Sequence, residues 1–112
     1  TKIVASDAAS IDVFGHSVGI SGDSAIVGAY GNDHVDDGDS MDNDYDGSAY
    51  IFHRTGTNSW TEETQIIASD AESDDYFGYS VAIDGDYAIA GAWRNDDSGS
   101  DTGSAYIRII AR

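Results

Sequence analysis

Aspartate is the residue type in this sequence whose spacing could do chemistry. Asp42, Asp44 and Asp46 alternate along the chain and are followed directly by Gly47. Alternate carboxylates can turn inward around one hard cation such as Ca²⁺, and the glycine permits the sharp turn that such a loop needs. The D-x-D-x-D-G pattern therefore predicts a calcium-binding loop, although the bidentate glutamate that closes an EF-hand is missing.

Further aspartates extend this candidate metal site into two acidic loops, residues 31–47 and 95–103. Without a counterion, carboxylates this close together would repel one another, and a bound Ca²⁺ would remove that cost. The predicted metal ligands are Asp33, Asp36, Asp37, Asp42, Asp44, Asp46, Asp96, Asp97 and Asp101. The alternative is that both loops are solvated and that aspartate is favoured there only as a turn former.

Two aromatic residues adjoin the acidic loops. Tyr30 precedes the first loop and Trp93 precedes the second, at matching positions. A ring can stack on the apolar face of a sugar while nearby polar groups bind its hydroxyls. Tyr30 and Trp93 are therefore candidate ligand-binding residues of a carbohydrate-binding lectin. The alternative, that both rings pack between neighbouring sheets, stays open.

The sequence shows no catalytic constellation. It has no cysteine nucleophile and no G-x-S-x-G elbow, and its matching serines, Ser17 and Ser80, have no histidine and aspartate in repeated register beside them. Paired carboxylates can hydrolyse glycosides, but 18 aspartates in 112 residues make some pairing inevitable. We expect no enzymatic activity.

Charge excludes two classes of partner. The formal net charge is −16, with only 5 lysines and arginines. Binding to nucleic acid or to an anionic membrane surface would be opposed electrostatically. The apolar runs are also too short to span a bilayer, so neither nucleic acid nor membrane insertion is expected. At 40% hydrophobic residues the chain can still form a packed core.

An internal repeat indicates which elements position these residues. Residues 5–34 align with residues 68–97 at an offset of 63, with 19 identities in 30 positions. Both copies are followed by an acidic stretch and then by Gly-Ser-Ala-Tyr-Ile. We predict one repeat domain, 1–112, with a first repeat at 6–59, a second at 60–112, and residues 1–5 as the outer strand of the first blade.

Hydrophobic periodicity within each copy is two, which is typical of β-strands. Large residues alternate with small ones in the first strand of each copy, Phe14 to Ile20 and Phe77 to Ile83. A tight turn at Ser21-Gly22-Asp23 and at Asp84-Gly85-Asp86 leads into the next strand. The remaining strands are predicted at 25–30, 48–53, 60–68, 87–93 and 104–110, with no helix.

The repeated dipeptides and tetrapeptides resemble the FG-GAP repeat. They are Phe14-Gly15, Gly28-Ala29 and Gly47-Ser48-Ala49-Tyr50, repeated as Phe77-Gly78, Gly91-Ala92 and Gly103-Ser104-Ala105-Tyr106. The resemblance implies four-stranded antiparallel blades of a β-propeller, as in the head of integrin α subunits, and an extracellular or cell-surface location. Integrin-type copies carry their calcium loop between the first and second strands. Here that connection is only a short turn, so the family site is not carried over.

Two four-stranded blades do not make a propeller, which needs about four to eight. The missing surface must come from other copies of the chain or from adjacent repeats of a longer one. Head-to-tail association of copies would give a ring or a filament. The sequence thus predicts an all-β, calcium-stabilised module for structure or adhesion, and the alternative is a lectin that binds glycans or surface proteins.

Overall fold

The computed structural model describes residues 1–6, 13–31, 47–67, 76–92 and 103–110. These residues form two antiparallel sheets and no helix, which confirms the all-β prediction. In both sheets the strands lie side by side in chain order. The first sheet contains β1 (Ser17–Ser21), β2 (Ser24–Ala29), β3 (Ser48–Gly56) and β4 (Ser59–Ile66), and the second contains β5 (Phe77–Asp84), β6 (Tyr87–Ala92) and β7 (Ser104–Ile109).

Matching tight turns join the first two strands of each sheet. Ser21 is paired with Ser24 in the first sheet, and Asp84 with Tyr87 in the second. Gly22 and Gly85 have φ values of 56° and 57°, a left-handed conformation that glycine adopts without steric cost. The predicted hairpins are therefore present in both repeats.

The sequence predicts residues 1–5 as the outer strand of the first blade, and the structure differs at this point. That position is taken by β4, which pairs with β3 through partners such as Tyr50 and Gln65. The reason is a local hairpin at Thr57-Asn58, where Asn58 has a φ of 55° and asparagine tolerates this region well. Residues 1–5 instead lie against the first sheet without strand pairing. In the described residues the second sheet has three strands.

The main apolar core lies between the two sheets. Because side chains alternate along a strand, β2 directs Ile26 toward the second sheet and Val27 away from it. Alanines on β6 let the second sheet approach closely. The cluster consists of Ile26, Ala49, Ile51, Ile66, Phe77, Ala88, Ala90, Ala92 and Ile110.

A smaller cluster covers the opposite side of the first sheet. It is built on Val27, Tyr50 and Phe52, with Ala5, Ala25 and Ala29. Ile3, Phe14 and Trp60 pack against it from outside. The rings of Phe14 and Tyr50 meet edge to face with their centroids 5.6 Å apart. Ile3 and Ala5 of the N-terminal segment thus cover part of this face of the first sheet.

Backbone groups of the two repeats touch where Phe77-Gly78 meets the first sheet. A Cβ atom added to Gly28 would fall on the carbonyl oxygen of Gly78, and one added to Gly78 would fall on the carbonyl oxygen of Ser48. Gly47 and Phe77 also form a parallel β-bridge. We call this contact, together with the main core, the inter-sheet junction.

Two serine hydroxyls on β1 complete the junction. The backbone N–H of Val81 donates to Ser17 Oγ at 3.0 Å, and the N–H of Gly85 donates to Ser21 Oγ at 3.1 Å. Both serines precede their partners by 64 positions, one more than the repeat offset. The two first strands, β1 and β5, therefore lie beside each other in nearly matched register.

Replacing Gly28 with alanine tests the backbone contact. The added methyl group has no room beside Gly78, so we expect Gly28→Ala to lower the free energy of unfolding by about 3 kcal/mol, as overpacking does. The matched control is Gly56→Ala in β3, where the nearest atom to an added Cβ is Ser59 Cβ at 3.8 Å. Urea denaturation followed by circular dichroism measures both. Equal stability of the two variants would contradict the junction described here.

Candidate functional site

The second sheet presents an exposed apolar face on the side away from the first sheet. We call it the tail face, and it is formed by Ala82, Tyr87, Ile89, Ala105, Ile107 and Ile109. A groove of about 420 Å³ runs over it, and the residues that line it include Ala82, Tyr87, Ile89 and Ile107. Large apolar side chains grouped in this way indicate an interaction surface rather than ordinary solvent-facing residues.

The first sheet presents a second apolar face, on the side away from the second sheet. We call it the head face, and its exposed centre is Val18 and Ile20 on β1. These side chains are paired across the sheet with Val27 and Ala25, so they share one face with the smaller core cluster. A cleft of about 320 Å³ lies between Ile20, Ile3 and Trp60.

Exposure of these side chains depends on their position in the array rather than on their type. Ile26 is fully buried at the inter-sheet junction, whereas its counterpart in the second repeat, Ile89, is 39% exposed. Likewise Ile51 is fully buried, and its counterpart Ile107 is 67% exposed. Ile89, Ala105 and Ile107 of the tail face therefore match side chains of the first sheet that are buried at the junction. The other three tail-face residues, Ala82, Tyr87 and Ile109, stand where the first sheet has Gly19, Ser24 and His53.

The same comparison holds for the head face. Val81 and Ile83 of β5 are partly buried against the main core. Their counterparts on β1, Val18 and Ile20, are 64% and 69% exposed. Val18 and Ile20 of the head face therefore match the side chains with which β5 packs at the junction. Each open face thus carries side chains that match one half of a contact that the chain already makes within itself.

Tyr30 lies in a cluster of aromatic rings where the two repeats meet. Its ring centroid is 5.0 Å from that of Tyr79, 5.4 Å from that of Tyr76 and 4.9 Å from that of His16. His16 Nδ1 is 3.3 Å from the carbonyl oxygen of Tyr79. Tyr30 thus packs between the repeats, as the alternative to a sugar-binding role expected, and it remains half-buried. Trp93 lies outside the described residues.

Sequence reasoning missed Tyr76 as a member of this cluster. Tyr76 has a φ of 60°, and its counterpart in the first repeat, Val13, has a φ of 57°. Left-handed backbone is uncommon for residues with a bulky or branched side chain. Its occurrence at the same place in both repeats, directly before Phe-Gly, shows a shared turn that periodicity alone does not reveal.

The predicted metal ligands all lie outside the described residues. They are Asp33, Asp36, Asp37, Asp42, Asp44, Asp46, Asp96, Asp97 and Asp101. Gly47, which follows the D-x-D-x-D pattern, has a φ of 86°. The parallel bridge to Phe77 gives this glycine a role at the inter-sheet junction as well. Within the described ranges, no group of three histidine, aspartate or glutamate side chains is placed to hold a metal ion.

The described part of the chain forms no helix of the length and apolarity required to cross a bilayer.

Comparison with known proteins agrees with this geometry. A family model for the FG-GAP repeat matches residues 1–52 and again residues 60–108. No curated protein matches the chain. The Phe-Gly and Gly-Ala dipeptides that carry the resemblance meet at the inter-sheet junction, where Phe77-Gly78 of one repeat contacts Gly28-Ala29 of the other. On the repeated match and this contact, the chain belongs to the FG-GAP repeat family.

Proposed function

We propose that this chain is an extracellular, calcium-binding β-propeller-repeat module that serves structure or adhesion by associating head to tail with other copies of itself. The observation that carries the proposal is the equivalence of the two open faces to the two halves of the inter-sheet junction. Ile89 and Ile107 on one face correspond to buried Ile26 and Ile51, so burying them requires only a repetition of a contact that is already formed.

Head-to-tail contacts can extend in two ways. Because the head face and the tail face differ, each copy uses both, and the contact is heterologous. Such a contact closes into a ring when the rotation between copies allows it, and it forms a filament otherwise. Either assembly would present many identical acidic loops, an arrangement suited to a structural or adhesive role rather than to catalysis.

The negative charge of the chain opposes this association, and bound calcium ions would reduce that repulsion. Each copy carries a formal net charge of −16, so copies repel one another at low ionic strength. Cations bound between the aspartates of residues 31–47 and 95–103 would lower that repulsion and hold each loop together. The resemblance to secreted and surface-attached FG-GAP proteins supports an extracellular location, where Ca²⁺ is plentiful.

Light scattering on the purified chain tests the association. We expect the average mass to rise with protein concentration, and to rise further when ionic strength is raised from about 0.01 M to about 0.15 M, because the Debye length falls from about 30 Å to about 8 Å. Addition of a chelator at constant ionic strength should lower the mass. A chain that stays monomeric under all these conditions would contradict the proposal.

Calorimetric titration tests the calcium site directly. Asp44→Asn removes one carboxylate from the D-x-D-x-D-G loop, so we expect the affinity for Ca²⁺ to fall at least about tenfold. Asp86→Asn in the turn between β5 and β6 makes the same change of charge outside the loops and serves as the matched control. Equal affinities in the two variants, or no binding by the wild-type chain, would count against the predicted site.

The aromatic cluster supports a second candidate, a carbohydrate-binding lectin. Tyr79 is exposed beside the half-buried rings of Tyr30 and Tyr76, so the cluster offers an aromatic surface next to the first acidic loop. This alternative predicts binding to a glycan array in the presence of Ca²⁺, with a loss of at least about tenfold in Tyr79→Ala, because ring stacking supplies the affinity. Absence of binding to the glycan array would rule out the lectin candidate.

A further inference from the structure

We propose that Gly91 on the tail face is the docking point for Gly15 of a second copy, with Ser80 and Asp84 accepting hydrogen bonds from that copy's β1 and from the turn that follows it. This inference rests on the proposed self-association and specifies its contact. In this contact the second copy packs on the tail face in the same way as the second sheet packs on the first sheet within the chain.

Neither backbone conformation nor a close contact among the described residues requires glycine at position 91. Gly91 lies inside β6, its φ is not in the left-handed region, and the nearest atoms to an added Cβ belong to Ser80 at 3.8 Å. Its counterpart Gly28 must be glycine, because the carbonyl oxygen of Gly78 occupies the place of a Cβ. Glycine within a strand often marks a close approach of another backbone. At Gly91 the described residues place no such backbone, and the nearest atoms are those of Ser80 on the neighbouring strand.

The matching half of the contact is Gly15 on the head face. Gly15 corresponds to Gly78 by the repeat offset, and the two have similar φ values of 96° and 87°. Among the described residues, an added Cβ at Gly15 would meet nothing within 4 Å. The N–H of Gly15 donates to the carbonyl oxygen of Gly28 at 3.1 Å, which fixes the local backbone. Gly15 is therefore held in a conformation like that of Gly78, but no second sheet packs against it in the described part of the chain.

Hydrogen-bond acceptors are also in place on the tail face. Ser80 corresponds to Ser17, which accepts from Val81, and Asp84 corresponds to Ser21, which accepts from Gly85. In a second copy the equivalent donors are the backbone N–H groups of Val18 and Gly22. A carboxylate at Asp84 makes a stronger acceptor than the hydroxyl that it replaces.

Apolar burial completes the contact and sets its direction. Ile89 and Ile107 of one copy would cover Val18 and Ile20 of the next, as Ile26 and Ile51 cover Val81 and Ile83 within the chain. Two tail faces would instead bring the Asp84 carboxylates of both copies together without the backbone N–H donors of Val18 and Gly22. The arrangement therefore favours head-to-tail docking over a symmetric dimer.

Sedimentation of Gly91→Ala tests the docking point. The methyl group fits the single chain, so we expect an unchanged melting temperature but association weakened at least about tenfold. Gly56→Ala adds the same methyl group at the end of β3, at a residue that lines neither the tail-face groove nor the head-face cleft, and it should associate as the wild-type chain does.

A mixing experiment tests the pairing of the two faces, with the melting temperature of each variant as the check that it is folded. Ile20→Asp places a charge on the head face and leaves the tail face intact, while Gly91→Ala leaves the head face intact. At a concentration where each folded variant alone is monomeric, an equimolar mixture should give a dimer containing one copy of each and nothing larger.

The outcomes separate this inference from the proposed function. If the wild-type chain associates and Gly91→Ala associates equally well, the docking point is wrong and self-association stands. If the mixture of variants stays monomeric while the wild-type chain associates, the head-to-tail pairing of these two faces is overturned. A wild-type chain that never associates overturns both the inference and the proposed self-association.

Discussion

The close approach of Phe77-Gly78 to the first sheet is the constraint on which the rest of the structure depends. Gly28 and Gly78 have no Cβ, so their backbones can touch, and this contact brings the alanines of β6 against Ile26 and Ile51. The apolar core between the sheets exists only because the sheets come this close. The serine hydroxyls of β1 then fix the register between the repeats.

Each sheet buries one of its faces at the inter-sheet junction and leaves its other face open. The exposed isoleucines of the tail face and the exposed Val18 and Ile20 of the head face lie on these two open faces. Ile26 and Ile51 are buried at the junction, whereas their counterparts Ile89 and Ile107 are exposed on the tail face. The strong negative charge then controls when partners meet, since screening or bound cations must first reduce the repulsion.

Most of the fold could be predicted from the sequence, because a period of two within a repeated unit indicates strands and their turns. The strand beside β3 could not, because the repeat alignment gives matching segments at residues 1–5 and at the end of β4 without saying which sheet each one joins. The hairpin at Asn58 decides this locally. The ring of Tyr76 beside Tyr30 could not be predicted from the sequence, since that contact depends on a left-handed turn and on packing between repeats.

Amide hydrogen exchange measured residue by residue, at low and at high protein concentration, tests the equivalence of the faces most directly. In the associated chain the amides of Val18 and Gly22 should become protected to the degree shown by Val81 and Gly85 at the inter-sheet junction. The amide of Asn58, in the turn between β3 and β4, should not change. An increase in mass without protection at Val18 and Gly22 would contradict the account.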